Sequence, residues 1–389
     1  MKIVVAPDSY KGSLTALEVC EAAAEGIARI GRGIEVVQVP MADGGEGTVQ
    51  SLVDATGGEL VATAVTGPLG EQVQATWGLC GPGRAGEGET AAIEMAAASG
   101  LPLVPEDRRD PLVTTTYGTG ELIRAALDAG RRKLIIGIGG SATTDAGAGM
   151  AQALGVRLLD GEGKPLGLGG GELARLVNIE MAGADSRLRD CEIRVACDVD
   201  NPLYGERGAA RVYGPQKGAS PESVEVLDRN LRIFADVVQR DLGLDVRDLA
   251  GAGAAGGLGA GLVAFCGATL EPGVEIVIDA VGLPEKMRGA DLCITGEGAI
   301  DIQTAYGKTP AGVARVAGRE GAPVIAIGGC VALEAVSLHE HGFDALACIL
   351  NRPMQLSQAM QPAEARQMIA FTAEQMVRCF LAGRGPGDN

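Results

Sequence analysis

The sequence predicts an α/β fold with two α/β domains, one Rossmann-like with a parallel sheet and the other inserted into it with a mixed sheet. The chain has 389 residues, of which 46% are hydrophobic, enough to bury the cores of two domains. It contains 60 glycines but only 3% aromatic residues. A core of Ala, Val, Leu and Ile joined by many glycine turns is typical of alternating strands and helices.

The first 40 residues predict a βαβ unit. Residues 2–6 are a short apolar run typical of a strand, and a helix is predicted to begin near residue 14. Thr15 and Glu18 have the spacing of a capping box, in which each side chain bonds the backbone N–H of the other residue. Residues 34–39 form a second strand-like run, so the two strands should pair in parallel.

The middle of the chain predicts a mixed sheet. Short β runs at residues 61–65, 73–79 and 91–95 are separated by Gly/Pro turns, which indicates antiparallel pairing. Further elements are predicted as helices at 117–129, 150–154 and 222–242 and as strands at 133–138 and 192–196.

Strands and helices alternate again towards the C-terminus. Strands are predicted at residues 291–295, 324–327 and 345–349, and a helix at 310–319. These elements should complete the sheet that begins at the N-terminus. The predicted Rossmann-like domain is therefore discontinuous, with residues 1–65 and 276–389, and the inserted domain covers residues 66–275.

Charge and hydropathy limit the classes of partner. The formal net charge of −17 argues against nucleic acid, whose phosphate backbone needs a basic face. A single nucleotide stays compatible, because backbone amides, a few cations and Mg²⁺ can hold it. No signal peptide opens the chain, and no apolar run reaches the roughly 20 residues of a membrane span. We expect a cytoplasmic protein with a small-molecule partner, and the sequence leaves open whether it forms a homodimer.

Histidine offers little for catalysis. His339 and His341 are the two histidines of the chain, and both lie in a polar stretch away from any motif. This argues against a histidine-activated nucleophile and against a zinc site. The candidates for chemistry are instead five polar, glycine-rich turns that follow apolar strands or open helices.

The first two turns are rich in charge. Residues 8–13 follow the first strand and precede a helix N-terminus, which favours an anion, and Lys11 can pair with a carboxylate or phosphate. Residues 41–48 hold Asp43 and Glu46 among three glycines. Two carboxylates in such a turn suit Mg²⁺ or hydroxyl groups. For the first turn, residues 8–13, the alternative is a solvated βα turn with an ordinary helix cap.

The other three turns combine strand ends with glycine, hydroxyl and carboxylate groups. Residues 137–149 predict a phosphate cradle. This turn is not a Walker A loop, since no GK[ST] follows it, and it does not match GxGxxG in a Rossmann context. The side chains of Asp198 and Asp200 lie on the same side of the chain if the preceding strand continues to that point. The alternative interpretation of this segment is an Asx turn before Pro202. The fifth turn carries Glu297 and Asp301, with Lys308 just before a predicted helix. Residues 251–261 fit either a tightly packed helix or a nucleotide-facing loop.

Together these segments resemble the type I glycerate kinases. The segments that carry the resemblance occur in one order along the chain: APDSYKGS (6–13), MADGGEGT (41–48), GGSAT with Asp145, CDVDNPL (197–203), GAGAAGGLGAG (251–261) and TGEGAID-x-QT-x-x-GK-x-P (295–310). Two departures stand out. Thr144-Asp145-Ala146 replaces the Asn-Asp-Gly of many members, and Ala299 replaces an arginine.

The resemblance implies ATP-dependent phosphorylation of D-glycerate, usually at the 2-hydroxyl, with ATP as co-substrate, Mg²⁺ as cofactor and the site in the cleft between two α/β domains. For the catalytic base we expect Asp198 first and Asp8 second. Lys11 is expected to act beside the base. Either Lys11 and Ser9 together or Lys308 is expected to hold the carboxylate of the substrate.

The remaining expected roles fall into three groups. Further substrate contacts are expected from Asp43, Glu297 and Asp301. Metal contacts are expected from Asp43 and Asp200. Nucleotide contacts are expected from Gly139, Gly140, Ser141, Thr143 and Asp145.

Three other functions remain as alternatives. One is a kinase acting on the 3-hydroxyl of glycerate or on another small hydroxy acid, since the sequence does not determine which hydroxyl is phosphorylated. A nicotinamide dehydrogenase would need GxGxxG after the first strand, where this chain has PDSYKG. A non-catalytic small-ligand-binding protein would need fewer functional turns than five.

Overall fold

The computed structural model describes residues 1–31, 33–81 and 90–383. Its strands are β1 (Lys2–Val5), β2 (Glu35–Gln38), β3 (Glu59–Thr66), β4 (Gln72–Leu79), β5 (Thr90–Glu94), β6 (Lys133–Gly137), β7 (Arg157–Leu159), β8 (Asn178–Glu180), β9 (Glu192–Ala196), β10 (Thr269–Glu271), β11 (Leu292–Ile300), β12 (Val324–Val331) and β13 (Ala345–Cys348).

The α-helices connect these strands and cover the faces of the sheets. They are α1 (Ala16–Ala28), α2 (Thr48–Thr56), α3 (Ala96–Ser99), α4 (Tyr117–Asp128), α5 (Ala148–Ala153), α6 (Ala209–Tyr213), α7 (Pro221–Leu242), α8 (Ala254–Cys266), α9 (Gly273–Ala280), α10 (Leu283–Met287), α11 (Thr309–Arg319), α12 (Leu356–Ala359) and α13 (Pro362–Gly383).

The first sheet joins the two ends of the chain. Its five strands have the order β13-β12-β11-β1-β2 and are all parallel. This confirms the predicted parallel sheet. The capping box is also present: Glu18 N–H donates to Thr15 Oγ1 at 3.2 Å, and Thr15 N–H donates to Glu18 Oε2 at 2.8 Å. These bonds satisfy two of the free N–H groups at the start of α1.

The second sheet is mixed, as predicted. It has six strands in the order β10-β9-β6-β5-β4-β3. The β10, β9, β6 and β5 strands are parallel, whereas β4 and β3 pair antiparallel. A separate antiparallel pair, β7 and β8, lies outside it.

The predicted limit at residue 65 falls inside a strand of the second sheet. β3 pairs with β4 from Glu59 to Thr66, so residues 59–65 lie in the six-stranded sheet and not in the parallel one. We therefore propose that the first limit lies between α2 and β3. The predicted second limit, at 275, falls inside α9.

One apolar cluster reaches from one sheet to the other. It contains Val4 of β1 and Ile135 of β6, with Leu52 of α2 and Val277 of α9 between them. All four side chains are buried. The two sheets therefore share a core, and side chains of α2, α9, α10 and α11 form the layer between them.

The opposite face of the parallel sheet is covered by α1 and α13. Their side chains form a second cluster with strand residues such as Ile3 and Ile325. The two helices approach closely at Gly26, where an added Cβ would lie 1.9 Å from the carbonyl oxygen of Ala370. Only glycine permits this contact between the two backbones.

The carboxyl ends of parallel strands from both sheets face one cleft. In the first sheet β1 and β2 lead to Asp8 and Asp43, whereas Glu297 lies within β11, which continues beyond the predicted end at Thr295 to Ile300. In the second sheet β6 and β9 lead to Gly139 and Asp198. Ligands of open α/β sheets bind at this end of the strands, so the topology brings most of the predicted turns together.

Candidate active site

Two cavities meet in the cleft. One has a volume of about 440 Å³ and is lined by Gly139, Ser141 and Asp198 on the side of the second sheet. The other has a volume of about 610 Å³ and is lined by loops of the parallel sheet and by residues of α12 and α13. Lys11 and Asp43 line both cavities and mark their junction. We call them the second-sheet cavity and the parallel-sheet cavity.

Asp8 lies in the wall of the parallel-sheet cavity and is almost fully buried. Ser9 N–H donates to its Oδ1 at 2.6 Å, and the hydroxyl of Thr309 donates to its Oδ2 at 2.7 Å. Burial, followed by the charge of Asp43, raises the pKa of Asp8 to about 6, although these donors and Lys11 oppose the shift. Asp8 can therefore exchange a proton near neutral pH.

Asp43 is held by a turn that packs directly against the second sheet. Gly45 N–H donates to Asp43 Oδ1 at 3.0 Å. The neighbouring Gly44 has φ +93°, and an added Cβ would lie 2.6 Å from Cβ of Ala196 at the end of β9. Glycine is required there both by the backbone angle and by the close contact.

Asp198 follows β9 and faces the second-sheet cavity. It accepts a hydrogen bond of 2.9 Å from Gly273 N–H at the start of α9. Burial raises the pKa of Asp198, the bond from Gly273 opposes this shift, and the charge of Asp43 adds to it. Asp43 thus influences both Asp8 and Asp198, and the three carboxylates form one electrostatic group.

Asp200 does not join this group. Its side chain is 76% exposed and accepts bonds of 3.0 and 3.2 Å from Arg207. The alternation expected to align Asp200 with Asp198 does not apply, because β9 ends at Ala196, before both residues. The structure therefore does not bring Asp200 to Asp43.

Glu297 and Lys308 form a pair in the wall of the parallel-sheet cavity. Lys308 Nζ lies 3.3 Å from Glu297 Oε2, and the hydroxyl of Thr304 donates to Oε1 at 2.7 Å. Burial raises the pKa of Glu297 despite these partners. Asp301 lies apart from the cavity walls. It caps a short 3₁₀ helix, and its Oδ1 accepts a hydrogen bond of 2.8 Å from Gln303 N–H.

One part of the turn after β6 lines the cavity, and the other part lies behind it. Gly139, Gly140 and Ser141 line the second-sheet cavity. Thr143 and Asp145 are fully buried behind them.

Asp145 stabilises the turn from inside. It accepts bonds from the backbone N–H groups of Thr116 at 2.9 Å, Gly147 at 3.1 Å and Gly149 at 3.3 Å. Burial raises the pKa of Asp145, and these donors oppose the shift. Its carboxylate therefore supports the shape of the turn and is not part of the described cavity wall.

Lys217 is a cavity residue that the sequence did not single out. It lies in a 3₁₀ turn, Pro215–Lys217, and lines the second-sheet cavity although only 1% of the residue is exposed. The local sequence, Gly-Pro-Gln-Lys-Gly, holds a lysine between turn-forming residues, a signal similar to that around Lys11. It was overlooked because it follows no strand.

Two features are absent from the residues that the structure describes. Within 1–31, 33–81 and 90–383, no group of three or more His, Cys, Asp or Glu side chains is arranged to hold a metal ion. In the same ranges no helix combines the length and apolar character needed to cross a membrane.

Comparison with known proteins gives the family. The sequence profile of the glycerate kinase family matches residues 3–381. The chain belongs to the glycerate kinase family. It is 54% identical to a glycerate kinase of Bacillus subtilis over 363 residues, covering 93% of this chain and 94% of that one. It is 53% identical to a glycerate 2-kinase of Escherichia coli over the same length, with the same shares of the two chains.

A solved structure of another family member has the same fold. A Salmonella typhimurium protein assigned as glycerate kinase 2 superposes with a TM-score of 0.90 at 51% identity, covering 99% of this chain and all of the other. The family is one of kinases, so this glycerate kinase family member is an enzyme that transfers a phosphoryl group.

The family departures have distinct local surroundings. Ala146, where many members have glycine, adopts φ +52°, a backbone angle that glycine tolerates better. Thr144 beside it is fully buried, and its hydroxyl has no hydrogen-bond partner in the described structure. Ala299, where many members have arginine, is exposed and lines the parallel-sheet cavity. The cavity wall therefore carries a methyl group and no cation at this position.

Residues 251–261 of this family member form a turn and the start of a packed helix. Ala255, Gly256 and Gly257 have left-handed angles and form a turn, after which α8 continues as a buried helix. Ala254 and Ala255 line the second-sheet cavity. An added Cβ at Gly256 would lie 1.9 Å from the carbonyl oxygen of Thr143, so this segment packs against the turn after β6.

Proposed function

We propose that this enzyme transfers the γ-phosphoryl group of ATP to the 2-hydroxyl of D-glycerate and forms 2-phosphoglycerate. The observation that carries the proposal is the meeting of two cavities at Lys11 and Asp43. A kinase must bring two substrates together at one point, and phosphoryl transfer depends mainly on positioning and charge neutralisation. The relative named glycerate 2-kinase supports the choice of hydroxyl.

D-Glycerate is assigned to the polar half of the parallel-sheet cavity. The Lys11 ammonium, which lies at the junction, would bind the glycerate carboxylate together with Ser9. Lys308 is a weaker candidate because it already pairs with Glu297. The Glu297 carboxylate would accept a bond from the hydroxyl that does not react.

Asp8 and Asp198 compete for the role of base. The sequence favoured Asp198, but Asp8 lines the same cavity as Ser9, Lys11 and Lys308, whereas the described wall of that cavity does not include Asp198. Asp8 also has a pKa of about 6. A base acts best when its pKa lies near the working pH. We therefore propose Asp8 as the group that accepts the proton of the 2-hydroxyl.

The ATP phosphates are assigned to the second-sheet cavity. Gly139, Gly140 and Ser141 would present backbone N–H groups and a hydroxyl to the phosphate oxygens. Thr143 and Asp145 would act indirectly, since both are buried behind this wall. Phosphates in this cavity and glycerate in the other would meet at Lys11.

Mg²⁺ fits the carboxylates at the junction. Burial is the main cause of the raised pKa of Asp8 and of Asp198, and the charge of Asp43 adds to it; a cation would relieve this repulsion. Mg²⁺ commonly binds through one or two carboxylates and substrate phosphates, so Asp43 and Asp198 would suffice as protein ligands. When bound, the ion would neutralise charge on the phosphate oxygens.

The cysteines support a cytoplasmic location. All nine thiols are free, and they include the exposed Cys330, Cys348 and Cys379. Unpaired cysteines are typical of reducing compartments.

The activity is tested by measuring ADP release with ATP, Mg²⁺ and D-glycerate, followed by phosphorus NMR of the product. We expect ADP release that depends on D-glycerate and a 2-phosphoglycerate signal. A 3-phosphoglycerate signal would support the other hydroxyl. Binding of D-glycerate without ADP release would support a non-catalytic binding protein, and release only with another hydroxy acid would change the substrate.

A further inference from the structure

Lys217 is a buried cation beside the cavity assigned to phosphates. Its backbone ends a 3₁₀ turn, and Gly218 after it has φ +93°. An added Cβ at Gly218 would lie 2.2 Å from the carbonyl oxygen of Arg109, so the turn is held tightly against its neighbour. The lysine side chain is thereby kept inside the protein, where it lines the same cavity as Gly139, Gly140 and Ser141.

The ammonium group of Lys217 has few partners. An ammonium can donate three hydrogen bonds. In the described part of the chain, Lys217 Nζ makes one, to the carbonyl oxygen of Thr143 at 2.6 Å. The hydroxyls of Thr143 and Thr144 are also buried there and have no hydrogen-bond partner among the described residues.

Such an arrangement is unfavourable without a ligand. A buried charge is costly unless it is paired and fully hydrogen-bonded. Burial lowers the pKa of Lys217 to about 7, although the charge of Asp145 opposes the shift. Asp145 itself is occupied by backbone donors of its own turn.

We infer that Lys217 is a phosphate-binding residue whose ammonium contacts the phosphates of the nucleotide in the second-sheet cavity. The inference rests on the proposed function for the identity of the nucleotide. It assigns Lys217 to binding and not to the proton transfer from glycerate. A phosphate oxygen would supply the anionic acceptor that the site lacks, and the buried lysine would become fully charged.

Other charged or titratable groups face the same cavity. They are Lys11, Asp43, Cys197, Asp198 and Tyr213, with Asp145 behind the wall. A proton taken up on binding must therefore be traced to Lys217 by substitution. At pH 8 the unliganded Lys217 would be mostly neutral, so charging it would take up as much as about one proton per nucleotide.

The test measures ATP binding by calorimetry at pH 8 in two buffers with different ionisation enthalpies. The unmodified protein should take up protons when it binds ATP with Mg²⁺. Lys217→Met should lose this uptake and bind ATP about 10- to 100-fold more weakly, as expected for a lost hydrogen bond to a charged group. Lys164→Met is the control, because Lys164 is exposed and pairs with Glu162.

The outcomes separate this inference from the proposed function. A purely structural lysine would change thermal stability without changing proton uptake or ATP affinity, and that result would overturn the inference. Equal weakening of ATP and D-glycerate binding would overturn it as well, as would absence of ATP binding by the unmodified protein. If Lys217 governs ATP binding but D-glycerate is not phosphorylated, the proposed substrate fails and the inference stands.

Discussion

Asp8, Asp43 and Asp198 follow three different strands, yet their carboxylates lie close enough to affect one another. The charge of Asp43 contributes to the raised pKa of both Asp8 and Asp198. Repulsion of this kind costs folding free energy and is common where carboxylates act on ligands. These carboxylates therefore lower the free energy of unfolding while they serve the chemistry of the site. Substitutions of Asp8 and Asp198 test their roles.

The role of base predicts different kinetics for two matched variants. Asp8→Asn should lower kcat by about 10²- to 10⁴-fold, because the proton acceptor is lost. Asp198→Asn should mainly raise the Mg²⁺ concentration needed for half-maximal activity. Steady-state assays over a range of Mg²⁺ concentrations distinguish the two. Near-normal kcat in Asp8→Asn, with the larger loss in Asp198→Asn, would return the role of base to Asp198.

The raised pKa of Asp8 predicts that the folded protein loses stability as the pH rises. Its pKa moves from the ordinary 3.8 to about 6 in the folded protein, so folding favours the protonated carboxyl. The contribution of this group is fully present below pH 3.8 and is lost as the pH rises through 6, a change of roughly 2–3 kcal/mol in the free energy of unfolding.

Asp8→Asn, which resembles the protonated form, should therefore be more stable than the unmodified protein at pH 8 and equally stable near pH 4. Urea unfolding at pH 4, 6 and 8 measures this difference. Asp248→Asn, at an exposed site, should show no such trend. A variant that is less stable at pH 8 would indicate that the bonds from Ser9 and Thr309 outweigh the cost of burial.

At the scale of elements, the turns at strand ends carry the site, and their packing could not be predicted from sequence. Alternating apolar runs predicted both sheets, including the strand at Glu192–Ala196, because buried strands have a clear sequence pattern. The sequence also proposed Asp8, Asp43 and Asp198 as site residues, and the structure places all three in the walls of the two cavities. It misplaced Asp200 relative to Asp198, since the end of a strand depends on tertiary pairing. Lys217 was missed because its turn meets the cavity only in three dimensions.

Two glycines of one turn offer a direct test of how Asp43 is positioned. Gly44 and Gly47 have similar left-handed angles, φ +93° and +90°. A Cβ added at Gly44 would lie 2.6 Å from Cβ of Ala196, whereas a Cβ added at Gly47 would have no atom within 4 Å.

Gly47→Ala should cost only about 1 kcal/mol, the penalty for a left-handed alanine. Gly44→Ala should cost roughly 1–3 kcal/mol more and reduce activity, because the turn must move away from β9. Thermal unfolding and ADP release compare the two variants. Equal effects of both substitutions would show that the contact with Ala196 does not hold the turn.

At the scale of the whole molecule, the two sheets are joined by an apolar core and not only by chain connections. Val4 and Ile135 belong to different sheets, and Leu52 and Val277 fill the layer between them. Interfaces of this kind limit relative domain motion more than polar interfaces do. The junction of the two cavities, which lies over this layer, should therefore be held together before substrates bind.

The shared core predicts that both sheets unfold in one transition. Trp77, the single tryptophan, lies buried in β4, so its fluorescence reports on the second sheet alone. Far-UV circular dichroism reports on both sheets. The two signals should change at the same urea concentration, as expected for one cooperative unit.

Leu52→Ala should destabilise the protein by about 2–5 kcal/mol and shift both signals equally, since it removes a buried side chain from the layer between the sheets. Leu356→Ala, at a position that is 75% exposed, should shift neither. A fluorescence transition separate from that of circular dichroism would mean that the inserted sheet folds independently and that the cleft is free to open.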